Sequence, residues 1–526
     1  MIQRTQFPLS RQLLKSTGLV SGLTLVSRIL GFVRDMVIAG FFGANAGTDA
    51  FFVAFKIPNF LRRLFAEGAF AQAFVPVLSS VRERQGDAFA RDFIARISGS
   101  FALVLGVLTS LGVLTAPWLI WLFAPGFHDK PDQYGISVEL LRITFPYLFF
   151  ICLTALCGGI LNTWNHFAIP AFTPVLLNIS MITATIWLAP RLDQPIHALG
   201  WGVLAAGLLQ LAFQLPALHR LGLLPFLKID FNHPNVRHVL HLMAPAVFGA
   251  SISQLNLLIN TLIASLLATG SISWLYYSDR LVEFPLGIFG VGLGTVILPH
   301  LSRSQARQDA DQFAQSMDWA LRWLLLIGLP ATLGLIFLAE PLMYTLFQYD
   351  KFTSADSRMA ARSLMAYSIG LMGFLSVKIL VPAFSAQQDL RTPARFGVYT
   401  VVVNLVLSAI LALWLPPPGW AHAGLALAAS LAALVNAALL LATLYRRKAY
   451  RPHAGFVRFI LRTLAANLGM AALLTGLMEW LTWQGLSASG RVTQLGACIL
   501  AALVVYALIL LVCGLRPRHM LLTGTS

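Results

Sequence analysis

"LVSRILGFVRDMVIAG", residues 25 to 40, has the apolar content of a membrane-spanning helix, yet it carries Arg28, Arg34 and Asp35. An ionised side chain at the bilayer centre costs at least about 2.5–3.5 kcal/mol on insertion scales, so such groups must face protein or water. The rest of the chain decides whether this stretch belongs to a soluble domain or to one wall of a polar site inside a membrane protein.

The composition favours the membrane. Hydrophobic residues make up 57% of the chain and charged residues 11%, with a mean hydropathy of +0.75, against roughly 25% charged in a soluble domain. Apolar runs of about 20 residues, the length that crosses the hydrocarbon core, recur about fourteen times, and little chain remains for a soluble domain. The expected fold is therefore an all-α polytopic membrane protein with about fourteen transmembrane helices. The basic start, "MIQRTQFPLSRQLLKS", precedes an apolar run too long for a signal peptide and reads as the approach to an uncleaved first helix.

A repeat runs through the chain. "AFVPVLSS" (73 to 80) and "TVILPHLS" (295 to 302) each end a long helix, and Pro76 and Pro299 are 223 residues apart. Pro170 and Pro393 share that offset, and Gly200 and Gly424 are 224 apart. Prolines favour helix boundaries in any case, so the offset is an expectation for the structure to test. It makes helices 1 to 6 and 7 to 12 two parallel six-helix copies around a central cavity, with two helices left over at the carboxyl end. The corresponding divisions are 1–220, 221–450 and 451–526. Rocking of such lobes gives alternating access.

The intramembrane charges cluster. Helix 2 ("DAFFVAFKIPNFLRRLFAEGAFAQAFVPV") holds Asp49, Lys56, Arg62, Arg63 and Glu67, and helix 8 ("SWLYYSDRLVEFPLGIFG") holds Asp279, Arg280 and Glu283. Arg63 with Glu67, and Arg280 with Glu283, have the spacing of ion pairs along a helix, whereas Asp279 and Glu283 are like charges four apart. Arg28 and Asp35, seven apart, share a helix face, and Arg34 points elsewhere on an ideal helix. Each charge can be a fastener between helices or part of a ligand site. The sum favours a site: helices 1 and 2 set Arg28, Arg34, Lys56, Arg62 and Arg63 against Asp35, Asp49 and Glu67. The excess of guanidinium groups suits an oxyanion, because their forks match phosphate and carboxylate bidentately.

Other chemistry lacks its apparatus. "GIFGVGLGT" (287 to 295) follows no strand and reads as close helix packing rather than a nucleotide loop. No P-loop and no HExxH occurs, so neither ATP hydrolysis nor zinc peptidase activity is expected, and no cofactor or metal is implied. Cys152, Cys157, Cys498 and Cys513 have no metal-site spacing. The formal net charge of +16 is topological signal beside anionic lipid rather than a nucleic-acid footprint. Pro58, Pro146, Pro245, Pro285 and Pro382 fall inside the apolar runs and are expected to kink them.

"LVSRILGFVRD", "TDAFFVAFKIPNFLRRLFAEGAFAQAFVPV", "GGILNTWN", "PAFTPVLLNISMI", "GSISWLYYSDRLVEFPLGIFGVGLGTVILPHLS" and "FQYDKF" together resemble the lipid II flippase (MurJ/MviN) family of the multidrug/oligosaccharidyl-lipid/polysaccharide exporter superfamily. The resemblance is nearly continuous over helices 1 to 12, and weaker in the last two helices. It implies a transporter rather than an enzyme, one that moves undecaprenyl-diphosphate linked to a disaccharide-pentapeptide to the outer leaflet of the inner membrane for peptidoglycan synthesis. It also implies cavity arginines, here Arg28, Arg34, Arg62 and Arg280, with Asp49 as the matching acidic residue. Asp35, Lys56, Arg63, Glu67, Asp279 and Glu283 then support or gate the site, with room for a coupling ion at Asp49 or Glu283. The last two helices of the family form a groove for the polyprenyl tail, onto which Ala471 and Leu503 are expected to face. A flippase for another polyprenyl-diphosphate oligosaccharide would use the same physics. A cation-coupled drug exporter would share the fold but calls for an acidic, aromatic cavity.

Orientation follows from the loops. With an even helix count, Arg82, Arg84, Arg91, Arg220, Lys228, Arg237, Arg303, Arg307, Arg446, Arg447, Lys448 and Arg451 share one side, while the opposite loops hold only Lys130, Arg191, Lys351, Arg358 and Arg491. The positive-inside rule places the first set and both termini in the cytoplasm. Reporter tags after Ser80, Arg307 and Arg447 are expected to read as cytoplasmic and tags near Lys130 and Asp350 as periplasmic. A periplasmic signal at Arg307 would overturn the fourteen-helix topology.

Overall fold

In hydrocarbon the backbone finds partners only within its own segment, so long apolar runs become helices. The computed structural model describes residues 11–224, 226–414, 419–453, 455–483 and 485–515, and all regular structure among them is helical. The first half contains α1 (Arg11–Phe42) and α2 (Ala46–Arg62), then a π-helical stretch (Arg63–Phe70) leading into α3 (Ala71–Gln85). It continues with α4 (Asp87–Leu114), α5 (Ala116–Phe123), α6 (Pro131–Thr144), α7 (Tyr147–Thr163), α8 (Ala168–Thr183) and α9 (His197–Arg220).

The second half repeats this order. It comprises α10 (Pro234–Ser265), α11 (Ser271–Pro285), a π-helical stretch (Leu286–Gly290), α12 (Val291–Ala306), α13 (Ala310–Phe337), α14 (Ala339–Leu346), α15 (Ser354–Ile369), α16 (Leu371–Ala386), α17 (Arg391–Trp414) and α18 (Ala421–Arg446). Adding 223 to both bounds of α1, α4 and α5 gives the bounds of α10, α13 and α14, and the π-helical stretches that follow α2 and α11 begin at Arg63 and Leu286, again 223 apart. The same helices also pack together within each half: α2 on α6, and α9 on α6, α7 and α8, as α11 on α15, and α18 on α15, α16 and α17. The proline offset thus marks a repeat of whole elements and of their contacts. Beyond it, α19 (Phe456–Trp480) and α20 (Ala488–Val512) pack on each other and against α13 and α14 respectively.

Eleven helical rods among the described residues are long and apolar enough to cross a membrane. With the long rods Arg11–Phe42, Ala46–Gln85 and Pro234–Ser265 the total is fourteen, and the first two of these carry the charges quoted above. The chain divides into two compact units, 1–254 and 255–526.

The prolines act where the chain order places them. Pro146 separates α6 from α7, and Pro285 ends α11 where the π-helical stretch begins. Pro58 sits five residues before the π-helical stretch at Arg63–Phe70, and Pro382 lies within α16. A proline removes one i to i−4 bond, and a widened turn is one way for a helix to absorb the loss.

Small residues let these helices approach closely, as lipid-embedded packing requires. A Cβ at Gly373 in α16 would come within 2.7 Å of the Ala433 and Leu434 backbone in α18, whereas nothing lies within 4 Å of one at Gly397. Gly373→Val is therefore expected to lower stability by about 1–3 kcal/mol through overpacking, read as a drop in the thermal midpoint of the detergent-solubilised protein. Gly397→Ala should leave that midpoint unchanged or raise it.

Candidate functional site

The charges of the opening stretch separate along α1. Arg28 is exposed and makes no ion pair with any described residue. Arg34, less than two turns further on, is 7% exposed and bound on several sides. Its Nε and Nη2 donate to Asp35 Oδ1 at 3.0 and 2.7 Å, and its Nη1 donates to Asn178 Oδ1 in α8 at 3.1 Å. Asn178 Nδ2 in turn donates to the Ser27 carbonyl at 2.9 Å, so one amide clamps α8 to α1 at two points. Arg34 and Asp35 thus neutralise one another although an ideal helix sets neighbours about 100° apart; the guanidinium has enough reach to fold back on the next residue. By these contacts Arg34, one of the expected cavity arginines, links α1 to α8.

On α2, Asp49 lies in the first helical turn and is 2% exposed, where the helix dipole favours a carboxylate. Asn45 and Thr48 form a capping box just ahead of it. Lys56, two turns on and on the same face, is half-buried, as are Arg62 and Arg63. Arg62 Nε donates to Asn59 Oδ1 at 2.8 Å, which orients the guanidinium from its own helix. The side chain of Glu67 lies outside the described residues, and with it the expected pair to Arg63.

In the second unit, Arg280 and Glu283 form the pair their spacing suggested, with Nη1 to Oε2 at 2.7 Å. Arg280 Nη2 also donates to the Tyr276 hydroxyl at 3.1 Å, and the guanidinium lies 4.8 Å from the centre of that ring. The group remains 34% exposed: it is held in place yet presents part of its fork outward. Asp279 is half-buried beside it. Tyr276 was not singled out from sequence, although its position four before Arg280 is the signal that finds it. Lys378 was missed as well. It is the one charge in α16, it is exposed, and its stem runs beside Gly290 at the end of the π-helical stretch. A lone cation in an apolar run was the available cue.

An apolar cavity of about 900 Å³ opens in the second unit between α13, α19 and α20. Phe284, Phe289, Ile327, Leu474, Leu503 and Leu511 are among its walls. Leu503 faces it as expected. Ala471 does not: Met470 and Leu474 supply that wall of α19, because helical spacing turns their neighbour away. Among the described residues the Trp323 indole N–H at this cavity has no hydrogen-bond partner, and the Tyr506 hydroxyl donates to the Leu326 carbonyl at 2.8 Å.

Comparison with known proteins follows the same lines. The family model described as "Lipid II flippase MurJ" matches residues 38–490. The chain is 44% identical over 524 residues to a Vibrio cholerae protein named "Probable lipid II flippase MurJ", covering 97% of this chain and 98% of that one. It is 41% identical over 510 residues to the "Lipid II flippase MurJ" of Burkholderia cenocepacia, covering 95% and 97%. A solved structure titled "Lipid II flippase MurJ, inward closed conformation" superposes with a TM-score of 0.76 at 26% identity, covering 93% of this chain and 97% of that one. An inward-facing multidrug resistance MATE family transporter shares the fold alone, with a TM-score of 0.66 at 10% identity and coverage of 82% and 97%.

The contrast along α1 is testable. Arg34→Met breaks the buried pair with Asp35 and the bond to Asn178 and is expected to cost about 3–5 kcal/mol of stability, whereas Arg28→Met, at an exposed position, should stay within about 0.5 kcal/mol of the parent. Thermal unfolding of the purified protein reads both. Equal losses would show that Arg28 is as structural as Arg34.

Proposed function

The chain belongs to the lipid II flippase MurJ family, and from that premise we propose that it carries undecaprenyl-diphosphate-linked disaccharide-pentapeptide from the cytoplasmic to the periplasmic leaflet of the inner membrane by alternating access. It is a transporter, not an enzyme. Both termini lie in the cytoplasm, and the segments 1–220, 221–450 and 451–526 act as two lobes around a cationic cavity and a lipid-tail groove.

The observation that carries this reading is the division of the arginines. Arg34 is consumed by Asp35 and Asn178, whereas Arg28 is exposed and Arg280 keeps part of its fork outward from a fixed seat on Tyr276 and Glu283. Cations kept open inside a membrane protein call for an anion, and a diphosphate offers the geometry that guanidinium forks match. Arg28, Arg62 and Arg280 bind it in this reading, with Lys378 as a further cation. Arg34, Asp35 and Asp49 hold the helices that present them. Lys56, Arg63, Glu67, Asp279 and Glu283 tune the local charge, and Asp49 and Glu283 are the places for a coupling ion. The apolar cavity bordered by Leu503 suits the polyprenyl tail, since burying hydrocarbon there costs no polar contact.

The lipid's outward passage also moves its negative diphosphate away from a negative interior, favourable by about 2.3 kcal/mol per charge per 100 mV if the whole field is crossed. The deciding experiment measures lipid II in each leaflet after depletion of the native protein and rescue by variants. Arg28→Ala, Arg62→Ala and Arg280→Ala are expected to abolish outer-leaflet lipid II at normal membrane abundance. Arg→Lys should impair it, because an ammonium makes no bidentate contact. Full rescue by all three alanine variants would refute the cationic site.

A further inference from the structure

Residues 228–230, between α9 and α10, lie along α4 between Asp92 and Ser100 like a strap. The Lys228 N–H donates to the Ala95 carbonyl at 3.0 Å, and the Asp230 N–H donates to Ser100 Oγ at 3.0 Å. Lys228 Nζ reaches Asp92 Oδ1 at 2.9 Å, while Arg96 bonds Asp92 Oδ2 at 2.6 Å and also bridges to Asp230. Gly99 makes the approach possible, since a Cβ there would overlap the Lys228 backbone. Asp230 Oδ1 then accepts from the N–H groups of Asn232 and His233 at 3.0 and 3.1 Å, just ahead of α10.

With residues 228 and 230 tied to α4, their neighbours point away. Leu227 is 64% exposed, Ile229 60% and Phe226 90%, flanked by exposed Leu224 and Phe231. Arg96 is the last charged residue of α4 before an uncharged run from Ile97 to Leu114, so the hydrocarbon begins at this level of the helix. The strap crosses α4 between Ala95 and Ser100, at that boundary. A contiguous apolar fringe on a protein surface marks an interaction site, and at this depth the available partner is the acyl edge of a leaflet.

We propose that residues 226–231 form an interfacial membrane anchor in which Phe226, Leu227 and Ile229 insert into the cytoplasmic leaflet, while Asp92, Arg96, Lys228 and Asp230 form a charged seam at headgroup level that fixes the insertion depth. The anchor secures the cytoplasmic connection between the two repeats and is independent of which lipid is transported.

The test places single nitroxide labels at 226, 229 and 232 of the full chain, its four cysteines replaced by alanine, in vesicles of phosphatidylethanolamine and phosphatidylglycerol. Labels at 226 and 229 are expected to collide with oxygen more than with a water-soluble nickel chelate, and the label at 232 the reverse. Arg96→Gln should raise chelate accessibility at 226. Chelate-dominated collisions at 226 and 229 would overturn the proposal, as would exposure in vesicles combined with protection in native membranes, which points to a protein partner instead. If the cysteine-free chain does not assemble, hydroxyl-radical footprinting of the unmodified chain in the same vesicles decides the matter. Protection of Phe226 supports the anchor, and oxidation at the level of a cytoplasmic loop refutes it.

Discussion

Hydrocarbon solvates no charge, and the arrangement of this protein follows from that constraint. Each ionised group within the spans must be neutralised by a neighbour, face water, or meet a ligand. Arg34 takes the first course with Asp35 and Asn178, and in doing so ties α1 to α8. Arg280 takes it in part, sharing its guanidinium between Glu283 and Tyr276 while staying one-third exposed. Arg28 takes neither partner among the described residues. One residue type thus serves both as a fastener and as an open cation, and the difference lies in what the adjacent helices offer.

The same solvent shapes the packing. Apolar side chains gain little by leaving lipid for one another, so helix association depends on close approach and on polar contacts. Gly373 against the α18 backbone and Gly99 beneath the strap supply the first. Asn178 supplies the second, and Ser430 in α18 does likewise by donating to the Ala366 carbonyl of α15 at 2.7 Å. The Asn178 contact between α8 and α1 has its counterpart between the equivalent α17 and α10, where Asn404 Nδ2 donates to Asn260 Oδ1 at 2.9 Å, and duplication of a unit that packs in this way duplicates its solution to the solvent problem. Beyond the ends of α16 and α17 paired charges return: Asp389 accepts from Thr392 and Arg447, and these bonds, led by the Thr392 hydroxyl, hold its carboxyl well below the usual carboxylate range.

α19 and α20 stand outside this duplication and contribute something different. With α13 they enclose an almost wholly apolar cavity, whose polar exceptions are the Trp323 indole and the Tyr506 hydroxyl. Such a cavity can accept hydrocarbon without displacing any hydrogen bond, whereas the charged faces of α1, α2 and α11 cannot.

The sequence by itself determined the solvent, the helical class, the number of spans and the repeat, because each is written in local composition or in a constant offset. Hydropathy needs only consecutive residues, and the 223-residue spacing of Pro76 and Pro299 already marks the recurrence of whole helices. Local spacing also gave the Arg280 and Glu283 pair, since three residues on a helix bring two side chains together whatever else surrounds them. Contacts between distant segments were beyond it. That Arg34 is buried against Asn178, 144 residues away, depends on how α8 packs on α1. That Leu503 faces the apolar cavity while Ala471 does not depends on the rotations of α20 and α19 against α13, and the seating of Lys228 on Gly99 depends on the path of a loop. Such rotations and paths are set by the sum of many weak side-chain contacts across helices, and no single stretch of sequence contains that sum.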